Sequence, residues 1–244
     1  ENITTINGNT FYGCTNLTSI TIPNKVTTIK ESAFSGCKNM KSVLFFFFLT
    51  SIEGNAFYDC MSLEALYIPK SVTSISNYAF SNCESLQSIV VENGNSIYDS
   101  RNNCNAVISS NDTYRPANQL VAGCKTTVIP NSVTEIGNYA FVRCETLENI
   151  IIPEGVTVIA VSAFRNCTSM KEIVIPASVE TIGTQAFSGC DSLNDISVLN
   201  PDCVFYDSQY TIPSDAVIHG YHDSTSEEYA MKYGPLTLED AKDC

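Results

Sequence analysis

Hydrophobic and polar residues alternate with a period of two in seven separate segments of the chain. In each segment two apolar residues, mostly Ile, Val or Leu, enclose one residue of variable polarity. Alternation of this kind, rich in β-branched residues, predicts a strand with one buried face. Prolines that follow several of these segments stop the strand, because proline has no N–H for a further ladder hydrogen bond. The apolar pairs are Ile20/Ile22, Val43/Phe45, Leu66/Ile68, Ile89/Val91, Ile150/Ile152, Ile173/Ile175 and Ile196/Val198.

A longer period of 23 residues surrounds these strands. It is marked by cysteines that mostly follow the pattern Ala-Phe-x-x-Cys, namely Cys14, Cys37, Cys60 and Cys83 and, after a break, Cys144, Cys167 and Cys190. A fixed period of this length is typical of a solenoid, in which stacked coils bury each other's apolar faces. The pattern predicts a solenoid of parallel β-strands stacked one per coil, with short helical or 3₁₀ turns at Ala-Phe-x-x-Cys.

One stretch, Ile129–Cys144, carries Ile-Pro, Val-Thr-x-Ile-Gly and Ala-Phe-x-x-Cys in succession. This repeat resembles the BspA-like leucine-rich repeat of bacterial surface proteins, and the resemblance covers about residues 10–200. It implies a leucine-rich-repeat solenoid on a secreted or cell-surface protein, and adhesion to host proteins for some members. The family's motif holds no catalytic residues, so the resemblance implies neither an enzyme nor a cofactor. The chain departs from the motif between Cys83 and Cys144 and at Phe45–Phe48.

The charge balance narrows the classes of partner. The chain has 26 acidic and 13 basic residues and a formal charge of −13. Nucleic acids and anionic membranes are bound through Lys and Arg, so this balance argues against both. No apolar run approaches the roughly 18 residues of a membrane-spanning helix. The chain starts inside a repeat without Met, and we expect it to be a mature or trimmed segment of a longer precursor.

The repeat cysteines are predicted to be free, buried thiols. Equivalent side chains on stacked coils point into the core in parallel, which is a poor geometry for a disulfide. A metal site is not expected, since the chain has no Cys-x-x-Cys pair and only two histidines, His219 and His222. Of the cysteines outside the regular units, Cys104 and Cys124 are the first candidates for a disulfide, and the sequence leaves this open.

The domain organisation follows from where the period holds. We expect a single domain over residues 1–234, because a repeat array has one continuous core. Its predicted parts are regular coils at 3–91 and 127–199, an irregular insert at about 92–130 with irregular coils at 92–126, and a C-terminal cap at 200–234. Residues 235–244 would form a tail without a clear period, whose order or disorder the sequence leaves open.

Local patterns predict how the insert and the cap are built. Ala106–Ile108 and Gln119–Val121 are predicted strands on either side of a polar loop at 109–118, and we expect shorter coils that continue the stack, with that loop or hairpin projecting. Thr225-x-x-Glu228 has the form of a capping box that opens a short helix through Lys232, with Gly234 as its stop.

Residues midway between the two buried strand positions point outward, and most of them are apolar. With charged residues beside them, they indicate a protein-binding surface, although ordinary strand propensity is an alternative explanation. Phenylalanines after the second strand suggest an aromatic anchor for a partner, with self-association as the alternative. The first group comprises Leu44, Tyr67, Val90, Ile151 and Val174, and the second comprises Phe46, Phe47 and Phe48.

These patterns favour a non-enzymatic binding module that is secreted or displayed on the cell surface. Its sheet face would bind a protein, such as a host extracellular protein, or a glycan, without a cofactor or metal. A structural spacer or scaffold segment of a larger surface protein is the alternative. The sequence contains neither a Gly-x-Ser-x-Gly elbow nor a glycine-rich phosphate loop, which argues against an enzyme.

Overall fold

A computed structural model describes residues 2–206 and 208–233 and the backbone of 238–240. The chain divides into two compact units, Glu1–Thr127 and Val128–Cys244, called the N-terminal and C-terminal units below. The boundary lies directly after the irregular segment, where the regular repeat resumes. The single domain expected over residues 1–234 stays a prediction.

Short strands recur along the N-terminal unit. In chain order they are β1 (Thr5–Ile6), β2 (Ser19–Thr21), β3 (Thr28–Ile29), β4 (Ser42–Leu44), β5 (Ser51–Ile52), β6 (Ala65–Ile68), β7 (Ser74–Ile75), β8 (Ser88–Val91), β9 (Tyr98–Asp99), β10 (Val107–Ser109) and β11 (Gln119–Ala122). A 3₁₀ turn covers Arg101–Asn103 between β9 and β10. Each regular coil therefore supplies one strand from the alternating segment and a second, two-residue strand after it.

The strands of neighbouring coils pair in parallel with a shift of one repeat. Strands β1, β3, β5 and β7 form a four-stranded sheet, in which Ile6 pairs with Ile29 and Ile52 with Ile75. On another side of the coils β2 pairs with β4, and β6 pairs with β8. The predicted solenoid of stacked parallel strands is confirmed.

Threonine hydroxyls reinforce the stacking beside the two-residue strands. The side chains of Thr27, Thr50 and Thr73 each donate a hydrogen bond to the backbone carbonyl of the threonine one repeat earlier, at 3.2, 3.0 and 3.4 Å. The amide of each of these residues also donates to that same carbonyl. Two donors on one acceptor fix the register between coils, because a slip of one residue breaks both bonds.

Two left-handed residues shape the turn around Ala-Phe-x-x-Cys. In the second coil they are Ser32 (φ 56°) and Gly36 (φ 75°), and the equivalent residues of other coils also have positive φ. Bonds of the i→i+3 type, such as Ser35 N–H to the Ser32 carbonyl, alternate with bonds between coils, such as Phe34 N–H to the Ala56 carbonyl. The left-handed residues interrupt the expected 3₁₀ geometry, so the segment is a series of turns that stacks on its neighbours.

Phenylalanine rings stack at the centre of the coils. In the N-terminal unit the ring centroids of Phe34 and Phe57 lie 5.1 Å apart with an interplanar angle of 9°. In the C-terminal unit Phe141 and Phe164 stack at 5.1 Å and 7°. These centroid distances are close to the spacing of about 4.8 Å between adjacent strands, so the backbone register brings the rings into contact.

The repeat cysteines lie beside the rings. The thiol of Cys60 donates to the carbonyl of Phe34 (3.3 Å), and Cys167 does the same to Phe141 (3.2 Å). Cys37, Cys60, Cys167 and Cys190 are fully buried, whereas Cys83 and Cys144 are half-buried. Burial was wrongly expected for Cys14, which is exposed because the first described coil has a neighbouring coil on one side only.

The irregular insert is antiparallel. Strand β10 pairs with both β9 and β11, so residues 98–122 form a three-stranded meander. The two predicted strands are present at β10 and β11. The expected hairpin is therefore present, whereas the strands expected in shorter stacked coils pair antiparallel here, because the chain reverses direction at each strand.

The meander closes the edge of the N-terminal sheet at β7. The hydroxyl of Tyr98 accepts a bond from the Ile75 N–H (3.2 Å), and the guanidinium of Arg115 donates to the Ile75 carbonyl (2.7 Å). Asp112 holds both side chains, accepting from the Tyr98 hydroxyl (3.0 Å) and from Arg115 (2.8 Å). The two groups occupy backbone positions that a further parallel strand would fill, which protects an otherwise open edge.

A second arginine fixes the base of the same loop. Arg101 forms a two-point ion pair with Asp99, with contacts of 2.7 Å from Nε and 2.5 Å from Nη2. It also donates to the side-chain carbonyl of Asn118 (2.8 Å), and Ser110 donates to Asp99. The polar loop is therefore tied down at its base and near its tip, and is part of the fold.

The strands of the C-terminal unit form two parallel sheets. In chain order they are β12 (Glu135–Ile136), β13 (Val158–Ile159), β14 (Glu172–Ile175), β15 (Thr181–Ile182), β16 (Asp195–Val198), β17 (Val204–Phe205), β18 (Val217–Gly220) and β19 (Leu238–Asp240). One sheet contains β12, β13, β15 and β17, and the other contains β14, β16, β18 and β19. The strand predicted from Ile150 and Ile152 is absent, although Ile152 is still buried (6% exposed) and holds its place in the core.

The cap contains the predicted helix, with its start shifted by one residue. Helix α1 covers Thr225–Tyr233, and the Ser224 hydroxyl accepts the bond from Glu227 N–H (3.3 Å). The capping box expected at Thr225 and Glu228 is wrong, because the Thr225 hydroxyl instead donates to the carbonyl of Pro201 (3.1 Å).

The predicted tail is partly described. Strand β19 pairs in parallel with β18, with Leu238 opposite Ile218, so these residues continue the sheet. The predicted stop at Gly234, and the tail residues 235–237 and 241–244, lie outside the described residues.

Replacing a stacked ring should destabilise the N-terminal unit. Phe57 is fully buried between Phe34 and Phe80. Phe57→Ala is expected to lower the free energy of unfolding by about 3–5 kcal/mol, through lost burial and a cavity, in denaturant titration. The matched control Phe47→Ala, at a side chain that is 67% exposed, should change it by less than about 0.5 kcal/mol. Equal effects of the two changes would contradict the stacked core.

The ion pair at β7 should make stability depend on acid. Burial alone would raise the pKa of Asp112, but bonds from the Tyr114 N–H, Arg115 and Tyr98 outweigh it and lower the pKa. A carboxyl group with a lowered pKa contributes stability at pH values above its ordinary pKa of 3.8. This contribution disappears as the pH falls through the pKa of the folded state. Arg115→Ala is expected to cost about 1–3 kcal/mol at neutral pH and progressively less in acid.

The measurement is denaturant unfolding at a series of pH values. Lys38→Ala, at an exposed position of the same unit, is the control and should have little effect at any pH. A loss for Arg115→Ala that stays constant down to acid pH would contradict the role of the carboxylate.

Candidate functional site

An apolar column lies on the outer face of the N-terminal unit. Leu44, Tyr67 and Val90 occupy equivalent positions of β4, β6 and β8 and are 53%, 52% and 41% exposed. Their strand neighbours Val43, Leu66 and Ile89 are buried, so the period-two alternation turns these side chains outward. Small residues run beside the column at Ser42, Ala65 and Ser88. The strand positions beside the column therefore carry short side chains.

The remaining predicted face residues belong to the C-terminal unit. Val174 points outward from β14 and is 53% exposed, and the equivalent position on β16 is the half-buried Ser197. Ile151 is 86% exposed but lies in a segment without strand structure. The five predicted residues are thus divided between the units, three on strands of one and two in the other.

Charges beside the columns differ between the units. In the N-terminal unit Lys41 and Glu64 precede β4 and β6, so both signs are present. In the C-terminal unit the exposed Lys171 precedes β14, and Glu172 and Asp195 stand opposite each other on β14 and β16. Both carboxylates are exposed and share the outer face with Val174.

The phenylalanine run forms a turn that other coils build with proline. Phe45 is buried (6% exposed) and packs edge-on against Phe57 at 5.7 Å. The Phe46 carbonyl accepts from Leu49 N–H (3.1 Å), as Pro23 does from Val26 in the first coil (3.0 Å). Phe46 is half-buried, whereas two aromatic rings reach solvent at the tip of the turn, those of Phe47 (67% exposed) and Phe48 (57%).

The buried thiols are poor nucleophiles. Burial raises the pKa of Cys37 to about 11 and that of Cys203 to about 12. Burial is also the first cause that raises the pKa of Cys60 and Cys167. A thiol reacts as its thiolate, so these groups are unreactive near neutral pH.

No disulfide joins Cys104 and Cys124, and both are free and buried. The thiol of Cys124 instead donates to the Asn105 carbonyl at 3.5 Å, and Cys104 lies 3.8 Å from the Ala106 carbonyl.

The two histidines pair with different carboxylates. His219 Nε2 lies 3.0 Å from Asp195 Oδ1, and His222 Nδ1 lies 3.4 Å from Glu227 Oε1. Across the described residues, no group of three or more His, Cys, Asp or Glu side chains is placed to hold a metal ion. Within the same ranges, no helix has the length and apolar character to cross a membrane.

A shallow groove in the C-terminal unit was missed by sequence reasoning. It lies between β17 and α1, where the rings of Phe205 and Tyr229 stack at 5.0 Å. Tyr233 follows Tyr229 one helical turn later, at 5.1 Å between centroids. The spacing of the two tyrosines was the available signal, but it does not reveal that β17 lies against the helix.

Comparison with family models explains the repeat. Six copies of the BspA type leucine rich repeat region match residues 4–112 and 119–210. The chain belongs to the BspA-type leucine-rich repeat family. Members of this family are protein-interaction repeat modules of bacterial surface proteins and are typically not enzymes. A search of functionally characterised proteins finds no significant match.

Solved structures show the same fold. A leucine rich cell surface protein from Faecalibacterium prausnitzii matches with a TM-score of 0.72 and 24% identity over 96% of this chain and 62% of that one. A leucine-rich repeat protein from Eubacterium ventriosum matches with a TM-score of 0.63 and 23% identity over 88% of this chain and 69% of that one. A leucine-rich repeat protein from Bacteroides ovatus matches with a TM-score of 0.57 and 22% identity over 98% of this chain and 65% of that one. The chain therefore spans about two thirds of the length of these proteins.

Proposed function

We propose that this chain is a non-enzymatic binding module of a secreted or cell-surface protein, and that its outer sheet faces dock a protein partner. One observation carries the proposal most strongly. Leu44, Tyr67 and Val90 are held outward on the strands of successive coils, each between 41% and 53% exposed. A solvated sheet face has no need of apolar side chains at these positions, whereas protein interfaces contain apolar centres rich in tyrosine.

The rigid scaffold supports the same role. The inward side chains of these strands are fixed by the stacked core, so the outward ones are presented without loss of backbone freedom on binding. Phe47 and Phe48 add exposed rings in the turn that follows β4. Large aromatic side chains of this kind are the usual energetic centres of protein interfaces.

The location is supported by similarity. The Faecalibacterium prausnitzii protein is described as a cell surface protein, and the family is one of bacterial surface proteins. A host extracellular protein is the partner we propose, and a glycan or no partner at all are the other outcomes of the test. A chain that acts only as a spacer would bind nothing through these faces.

The test is binding to a panel of purified host extracellular proteins and to a glycan array. Tyr67→Asp combined with Leu44→Asp should weaken capture of any protein ligand by at least about tenfold, because it places two charges at an apolar interface. Tyr114→Asp, at a side chain that is 94% exposed on the insert, is the matched control and should leave binding unchanged. Thermal melting would check that each variant is folded.

Equal capture by the double variant and the wild type would show that the face carrying Leu44 and Tyr67 does not bind the partner. The absence of any captured protein would favour the spacer role. Capture on the glycan array alone would contradict the protein partner.

A further inference from the structure

Formal charge is distributed unevenly between the two units. Residues 128–244 contain 17 acidic and five basic side chains, which gives a charge of −12. Residues 1–127 contain nine acidic and eight basic side chains, which gives a charge of −1. Almost all of the net charge therefore belongs to the C-terminal unit. Both units are built from the same repeat, so the fold itself does not require this difference.

The sheet of β14, β16 and β18 concentrates some of these acids on one face. Glu172 and Asp195 are register partners on β14 and β16, and both side chains are exposed. Exposed acids also stand in the segments that lead into β16 and β18, at Asp191 and Asp215. The entering ends of parallel strands lie along one edge of a sheet, so these groups line the same edge.

Glu172 and Asp195 bring like charges side by side on adjacent strands. Adjacent strands are about 4.8 Å apart, and like charges directly opposite each other on a sheet are destabilising. His219 lies 3.0 Å from Asp195, but within the described residues no cationic group pairs with Glu172. The corresponding pairs in the N-terminal unit, Ser19 with Ser42 and Ala65 with Ser88, carry no charge. The repeat therefore accommodates a neutral pair at this position, so the fold itself does not require two acids here.

An apolar side chain shares this face. Val174 lies two residues beyond Glu172 on β14, on the same side of the sheet, and is 53% exposed. A partner that suits both groups carries Lys or Arg next to an apolar side chain.

We infer that the face of β14 and β16 docks a basic, partly apolar segment of a partner protein, with Lys or Arg side chains between Glu172 and Asp195 and an apolar side chain on Val174. This rests on the proposed function and specifies the chemistry of its partner. Charge complementarity selects the occupant, since a second copy of this chain would bring a second unit of charge −12 to the same place.

The probe is a synthetic peptide that repeats Lys-Thr-Val-Thr, which places Lys and Val on one side when extended. A peptide with Glu in place of Lys is its control. The wild-type chain should bind the lysine peptide in calorimetry, more weakly as salt increases, and should not bind the glutamate peptide.

Paired variants separate this face from general acidity. Glu172→Gln with Asp195→Asn should weaken binding of the lysine peptide by about fivefold. The control, Glu154→Gln with Glu180→Gln, removes the same charge from exposed positions, one in a turn and one next to β15. It should change the affinity for the lysine peptide less than about twofold. Glu172→Gln alone should melt no lower than the wild type, because it removes like-charge repulsion and leaves the contact between Asp195 and His219 in place.

Several results would overturn the inference. These are equal losses for the two double variants, absence of binding to the lysine peptide, or a Glu172→Gln variant that melts lower than the wild type. Calcium binding that depends on Glu172 and Asp195 would identify a metal site instead, and a dimer lost in the face variant would identify a second copy. If the chain captures a panel protein through Tyr67 but ignores the lysine peptide, this inference fails and the proposed function stands. If neither binds, both fail.

Discussion

The contact between successive coils is the interaction on which the rest of this protein depends. One coil of 23 residues cannot cover its own apolar side chains, so each is stable only against its neighbour. In the core, the ring centroids of Phe34 and Phe57 lie 5.1 Å apart, and the Cys60 thiol donates a hydrogen bond to the Phe34 carbonyl of the preceding coil. Along another side, Thr27 and Thr50 bond through backbone and hydroxyl. These contacts share one register, so a change in it disrupts all of them together.

This dependence explains which features the sequence could predict. Regular coils are predictable because the same side chains recur at the same interval, and the alternation separates buried from outward residues such as Val43 and Leu44. The insert is not predictable in this way. Its conformation depends on Arg115 and Tyr98 reaching Ile75, and no local pattern marks a contact across 40 residues.

Two local predictions failed, one of a strand and one of a helix cap. Ile150 and Ile152 have the strand pattern, yet this segment has no strand, although Ile152 keeps its buried place. Thr225 has the composition of a helix cap, but its hydroxyl bonds Pro201 in the coil before, which leaves Ser224 as the cap. At Thr225 a tertiary hydrogen bond overrides the local preference for a cap, and at Ile152 burial persists without a strand.

The candidate site is built from outward positions of the strands, whose residue types are not constrained by packing in the core. Core positions are fixed by stacking, whereas outward positions such as Tyr67 and Glu172 contribute nothing to it. Their exposure was predictable from the alternation. Their grouping was not, because it depends on which strands pair and on where the chain divides into units. The sequence predicted an outward apolar group, but its division between the two units and the acidic pair on β14 and β16 became visible only in the structure.

The most direct test of the stacked core is thiol labelling of the folded chain with a bulky alkylating reagent, resolved by residue with mass spectrometry. Cys14 is exposed, whereas Cys60 and Cys167 are fully buried. The account predicts rapid modification of Cys14 and protection of Cys60 and Cys167 until denaturant is added. Modification of Cys60 and Cys167 as fast as Cys14 in the native protein would contradict it.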